Sequence, residues 1–176
     1  LKKNKNEITK IYKLYQQELL RLNCVDFGDL ILHCIRIFKD HKDVLSIYQR
    51  LFKYILVDEY QDINKVQQSW LEYLYQVNHN ICCVGDDDQS IYSWRGADVT
   101  NLLNFENNFS NTTIVRLEQN YRSTQNILKC ASSLIKKNIG RYGKELWSKN
   151  PEGEKISISG FWETKEEAIF VSNEIE

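Results

Sequence analysis

Two short apolar runs in this chain stop abruptly at carboxylates. Tyr54-Ile55-Leu56-Val57 leads into Asp58 and Glu59, and Ile81-Cys82-Cys83-Val84 leads through Gly85 into Asp86-Asp87-Asp88-Gln89. Adjacent acids at a strand end can divide labour. One can hold a hard cation such as Mg²⁺, which keeps most of its waters and takes one or two carboxylates. The other can polarise a water for attack. A glutamine just past a strand end can hydrogen-bond a phosphate oxygen or a water. Together these are the parts of a nucleotide hydrolase; the alternative is a pair of strands ending in solvated acids.

The second acidic stretch runs on into Ser90-Ile91-Tyr92-Ser93-Trp94-Arg95-Gly96-Ala97-Asp98. Flat rings beside a cation suit single-stranded nucleic acid, because every base can stack on a ring. Tyr92 and Trp94 could equally be core aromatics. Further on, Leu117-Glu118-Gln119-Asn120-Tyr121-Arg122-Ser123 places an arginine and an aromatic just before a helix start. An arginine so placed can stabilise charge on a transferring phosphoryl group; it can also be a solvated helix end.

These groups need a scaffold, and apolar spacing supplies one. Ile8, Ile11, Tyr12, Tyr15, Leu19 and Leu22 form a helical stripe over 1–22. Asp26 can cap a second helix carrying Phe27, Leu30, Ile31, Cys34, Ile35 and Phe38. Asp43 can cap a third through Leu51. The run 54–57 reads as a buried strand without polar alternation, on which neighbouring acids would point to opposite sides. A helix over about 64–77 follows, with Val66, Trp70, Tyr73, Leu74 and Val77 inward. The strand 81–84 then completes a parallel strand–helix–strand unit, whose carboxyl edge is where ligands bind in open α/β sheets. Helix is expected over 101–109, strand over 112–117, helix from Ser123 or Thr124 with Ile127, Leu128, Ala131, Leu134 and Ile135 inward, and strand over 155–160. Thr164 to Glu167 has the form of a capping box. Pro151 sits in a turn, Asn150 to Gly153.

Composition bounds the rest. The chain has 176 residues, 42% of them hydrophobic, with net charge −1, so no global field draws in nucleic acid and any contact must be local. Five cysteines without CxxC spacing and three scattered histidines argue against a zinc site or a disulfide framework and for a reducing, cytoplasmic setting. No apolar run reaches the ~18 residues a membrane helix needs. A start on Leu with no Met suggests an interior piece of a longer protein.

Taken in order, the three constellations resemble the UvrD/Rep-type DNA helicases of superfamily 1. Asp26-Phe27-Gly28-Asp29-Leu30 resembles a short motif upstream of them, with Gly28 where relatives often carry an acid, and Gly140 to Trp147 resembles a segment downstream. The resemblance implies an α/β fold: a partial RecA-like parallel sheet flanked by helices, plus the start of a second RecA-like lobe. Residues 1–25 would be the helical end of an inserted DNA-binding subdomain, 26–117 the later part of the first motor lobe, and 118–176 the beginning of the second. It implies ATP and Mg²⁺ as cofactors and single-stranded and duplex DNA as partners, with 3′ to 5′ translocation.

Residue by residue, the resemblance makes Asp58 the Mg²⁺ ligand, Glu59 the base for the attacking water, and Gln89 a sensor of the terminal phosphate. Tyr92 and Trp94 would stack on bases, with Arg95 bracing the loop or touching the backbone. Tyr121 would pack on adenine, and Arg122 would act as an arginine finger. The basic residues Lys136, Lys137, Arg141, Lys144 and Lys149 could touch phosphates or form a solvated face. The Gly-rich phosphate loop ending Gly-Lys-Thr/Ser is absent from this chain, so the piece alone is expected to be inactive. The motor portion of a helicase–nuclease, and a non-catalytic single-strand-binding module, are the alternatives.

Overall fold

The computed structural model describes residues 2–175. The chain divides into two compact units, Leu1–Thr112 and Thr113–Glu176.

The first unit opens with helix α1 (Lys2–Arg21), whose stripe is largely exposed apart from half-buried Leu19. Helix α2 (Phe27–Asp40) starts at a capping box: Asp26 accepts from the Asp29 N–H, and the Asp29 carboxylate accepts from the Asp26 N–H. Gln16 of α1 donates to the same Asp29. Helix α3 (Lys42–Leu51) begins one residue before the expected cap. His41 takes the cap position, with no side-chain bond, and Asp43 falls in the first turn, where its charge complements the helix dipole.

Strand β1 (Ile55–Val57), helix α4 (Lys65–Asn78) and strand β2 (Ile81–Cys83) form the expected parallel unit, in register Ile55↔Ile81, Leu56↔Cys82 and Val57↔Cys83. Asn64 caps α4 by accepting from the N–H groups of Val66 and Gln67, and Gln67 returns a bond to the Asn64 N–H. The buried face of α4 is Gln68, Leu71, Leu74 and Tyr75. Val77, expected inward, is exposed, because it lies about 120° round the helix from Leu71. Ile55, Val57, Ile81 and Cys83 pack against a core of Tyr60, Ile63, Leu71, Tyr75 and Phe109, while Phe38, Leu45 and Leu74 form a second cluster that also meets Ile55. Burial pushes the Cys83 thiol up to about 12. The opposite sheet face differs from the buried strand expected: Leu56 is 81% exposed, since residues of opposite parity face away from the core of this two-stranded sheet. The expected helix over 101–109 is two short pieces, α5 (Thr100–Leu103) and α6 (Phe105–Asn108), from which Phe105 meets the Tyr60 ring edge-on at 5.4 Å.

The expected strand over 112–117 does not form. Ile114, Val115 and Leu117 are exposed, and among the described residues no neighbour pairs with them. Apolar, β-branched composition favours extended backbone, but a strand needs a partner for its ladder.

In the second unit, α7 (Gln125–Ile135) starts at Thr124 without a side-chain cap. The turn at Pro151 does that work: the carbonyls of Pro151 and Glu152 accept from the N–H groups of Gln125 and Asn126. Leu128 is buried, whereas Ile127 and Leu134 are exposed. Residues 155–160 form no strand, again for want of a partner among the described residues, and Ile158 is exposed. Helix α8 (Thr164–Ile175) takes Thr164 as its first residue, so Thr164 does not sit at the capping position; the Glu163 carbonyl accepts from the Glu166 and Glu167 N–H groups. No helix among the described residues is long and apolar enough to cross a membrane.

Candidate active site

Parallel pairing brings the two acidic strand ends side by side. The pairing continues past the strands: the Val84 N–H donates to the Val57 carbonyl at 2.8 Å, and the Tyr60 N–H to the Val84 carbonyl at 2.9 Å. The chain turns sharply between these bonds. Glu59 adopts a left-handed conformation, φ 51° and ψ 43°, which a non-glycine residue holds at a cost of about 1–3 kcal/mol when its surroundings fix it. Here the Glu59 N–H donates to Asp58 Oδ1 at 2.9 Å and the Asp62 N–H to the Glu59 carbonyl at 2.9 Å. The expected strand alternation therefore does not reach Asp58 and Glu59: β1 stops at Val57, and the turn sets where each acid lies.

Below the acids lies a buried polar floor. Tyr60 is fully buried and donates to Gln68 Oε1; burial first, then the nearby Cys83, raises its hydroxyl above the ordinary tyrosine range. Gln61 is also buried. Its Nε2 donates to Glu59 Oε2 at 2.7 Å, and its Oε1 accepts from the Asp86 N–H at 2.9 Å. Asp86 then accepts from the Asp88 N–H at 3.0 Å and from Gln89 Nε2 at 2.8 Å. Glu59 and Gln89 are thus joined through Gln61 and Asp86. Motif reading gave no role to either connector; the available signal was a glutamine two residues past the acid pair, in a turn too short to leave it solvated.

Asp58 is exposed, and among the described residues its Oδ1 takes only the neighbouring N–H. A hard oxygen donor with that freedom suits Mg²⁺, which needs one or two carboxylates and otherwise keeps water. The carboxylate oxygens of Asp86, Asp87 and Asp88 lie within 4.8 Å of one another, a second acidic group at the neighbouring strand end.

Past Gln89 the chain forms the aromatic loop. Trp94 is 77% exposed, which removes it from the core, and Tyr92 is partly covered at 38%. Their rings are 6.4 Å apart, and the Arg95 guanidinium lies 5.9 Å from the first and 5.6 Å from the second. The loop is fastened at its far end. The Asp98 N–H donates to the Ile63 carbonyl at 3.0 Å, Ala97 bridges to Asn64, and Asp98 pairs with Lys65 at 3.9 Å. Hydrogen bonding from Thr100, opposed by slight burial and aided by Lys65, holds the Asp98 carboxyl below the usual range. Both ends of the loop therefore attach to the segment that carries Asp58 and Glu59.

In the second unit, Asn120 Oδ1 accepts from the N–H groups of Arg122 and Ser123 at 2.9 and 2.7 Å. The Asn120 N–H donates to the Trp147 carbonyl, and Asn150 Nδ2 donates to the carbonyls of Tyr121 and Ser123. The loop backbone is tied, and the Tyr121 hydroxyl donates to Gln119 Oε1 at 3.0 Å, yet Tyr121 is 78% exposed and the Arg122 guanidinium has no ion pair or hydrogen bond among the described residues. Lys136 and Lys144, with Lys129 and Arg141, line a groove of about 450 Å³ beside α7, whereas Lys137 and Lys149 lie outside it. Two of these lysines pair with acids, Lys129 of α7 with Glu152 at 3.8 Å and Lys136, just past the helix, with Glu145 at 3.6 Å.

The parallel sheet edge carries paired acids, a glutamine turn and an aromatic loop, and comparison with known proteins gives the family in which this chain falls. Residues 1–110 match the family described as UvrD/REP helicase N-terminal domain, and residues 115–176 the UvrD-like helicase C-terminal domain. The chain belongs to the UvrD/REP helicase family. It is 51% identical over 166 residues to a probable DNA helicase II homolog of Rickettsia conorii, covering 94% of this chain and 25% of that protein. It is 49% identical over 150 residues to the ATP-dependent DNA helicase PcrA of Bacillus subtilis, covering 85% and 20%. Against the PcrA of Staphylococcus aureus it is 46% identical over 168 residues, covering 96% and 23%. The chain therefore spans about a quarter or less of the length of these relatives.

Proposed function

We propose that this chain is the middle segment of an ATP-dependent 3′–5′ DNA helicase that couples ATP hydrolysis to translocation on single-stranded DNA and to duplex unwinding. One observation supports the reading above others: a run of hydrogen bonds joins Glu59 through Gln61 and Asp86 to Gln89, and the aromatic loop grows from its far end. A change at the phosphate end can reach the base-stacking end through bonds already made. Relatives named ATP-dependent DNA helicase support the nucleotide and the substrate. In this reading residues 1–25 close an inserted DNA-binding subdomain, 26–117 form the later part of the first motor lobe, and 118–176 open the second.

Glu59 takes the proton of the attacking water through Oε1, the oxygen that Gln61 leaves open. Gln89 meets the terminal phosphate and transmits its presence through Asp86. Tyr121 packs on adenine, and Arg122 stabilises charge on the transferring phosphoryl group. Asp58 would hold Mg²⁺, which neutralises charge on the phosphate oxygens when bound. Trp94 and Tyr92 stack on successive bases, and Arg95, 5.6 and 5.9 Å from their ring centres, braces the loop or touches the phosphate backbone.

The deciding experiment uses the intact protein. Glu59→Gln should lower kcat by about 10²–10⁴-fold with nucleotide binding kept. Turnover at the wild-type rate would remove Glu59 from the base role. The 176-residue chain alone should not hydrolyse ATP, since it contains no loop to hold the β and γ phosphates. Turnover by the chain that Glu59→Gln abolishes would contradict this.

A further inference from the structure

Gln61 is 1% exposed, yet it reaches both acidic strand ends. Its orientation follows from chemistry. The end facing the Asp86 N–H must accept and the end facing the Glu59 carboxylate must donate, so the amide fits one way round only. Glutamate at this position would keep the acceptor and lose the donor, and methionine would keep the length and lose both. The approach is also tight. A Cβ on Gly85 would stand 2.9 Å from Gln61 Oε1 and 3.3 Å from the backbone nitrogens of Gln61 and Tyr60. The bond to Glu59 is charge-assisted and so stronger than a neutral one, and it closes beneath a residue held left-handed.

We propose that Gln61 is a positioning residue: its buried amide fixes the Glu59 carboxylate and ties it to the Asp86–Gln89 turn, so that one side chain sets the spacing of the two strand ends. The inference rests on the reading of Glu59 as the base. It assigns Gln61 no contact with nucleotide or DNA.

The test is a double-mutant cycle in the intact protein, with DNA-stimulated ATP turnover, KM for ATP and Tm measured for Gln61→Met, Glu59→Gln and the double variant. Positioning through Glu59 predicts that Gln61→Met lowers kcat by at least tenfold while KM and Tm stay close to wild type. It also predicts that the double variant is no slower than Glu59→Gln alone, because the group being positioned is already gone. Wild-type kcat in Gln61→Met, with Glu59→Gln slow, overturns the inference and leaves the Glu59 reading intact. Losses that multiply in the double variant, or a fall in Tm that accounts for the lost activity, reduce Gln61 to a structural role and overturn it too. Wild-type turnover in Glu59→Gln overturns the Glu59 reading and this inference with it. Should Gln61→Met fail to fold, Gln61→Glu takes its place in the cycle: retention of kcat despite loss of the donor to Glu59 overturns the inference, and a tenfold or greater loss supports it.

Discussion

The Asp58–Asp62 and Glu118–Ser123 stretches both carry groups suited to phosphate chemistry, but they hold them by opposite means. In the first, side chains secure side chains: Gln61 grips Glu59, and Asp86 grips Gln89. In the second, the backbone is secured through Asn120 and Asn150 and the Tyr121 hydroxyl donates to Gln119 Oε1, while most of the Tyr121 ring and the Arg122 guanidinium stand in solvent. The first arrangement suits a group that must be in place before a ligand arrives. The second suits groups whose partner is supplied by the ligand. Keeping the backbone stiff lowers the entropy lost when those side chains engage.

The sharpest way to break this contrast is Arg122→Ala. If the exposed arginine serves the transition state, kcat of the intact protein should fall by about 10³–10⁵-fold while DNA affinity stays nearly unchanged. A small change measured by steady-state ATPase would make it a solvated helix end. The next largest effect is expected at the aromatic loop. Trp94→Ala should weaken single-strand binding by about 1–3 kcal/mol in a fluorescence titration, as loss of one stacked base requires, and unchanged affinity would detach the loop from nucleic acid.

Two asparagines using the same device in the two units sharpen the comparison further. Asn64 Oδ1 and Asn120 Oδ1 each accept from two backbone N–H groups, the first to start α4 and the second to hold the Arg122 loop. Asn64→Ala should lower the denaturation free energy by about 1 kcal/mol, the usual worth of a cap, read by circular dichroism. Asn120→Ala should instead lower turnover, by less than Arg122→Ala, with little change in melting. The smallest effect concerns pH. The Cys83 thiol is raised from 9.0 to about 12, so between those values the unfolded chain releases a proton that the folded chain keeps. Its contribution to stability is complete below pH 9 and declines as pH rises toward 12. Cys83→Ala should flatten the alkaline slope of Tm against pH.

Sequence spacing made the strand–helix–strand unit and the cap at Asp26 legible, because both depend on local signals: an apolar run, then an N-cap residue with its partner three positions on. It misread 112–117 and 155–160 as strands, because a ladder depends on a neighbour that spacing cannot supply. Thr124 misled for a related reason, since the carbonyls that serve α7 come from Pro151 and Glu152, some 26 residues away. At the candidate site the acids and rings were readable as residue types. Gln61 and Asp86 were not readable as connectors, since their importance lies in the distance between two strand ends.

That distance has a gatekeeper with no side chain. Position 85 faces Gln61 Oε1 so closely that a methyl group there would stand 2.9 Å from it and would press, at 3.3 Å, on two backbone nitrogens. Gly85→Ala would therefore push the Gln61 amide from its place between Glu59 and the Asp86 N–H, and the change would be felt at Glu59 and Gln89 together although neither residue had been altered. A saturation scan read for activity should accordingly find one of the chain's least tolerant positions where there is no functional group to lose.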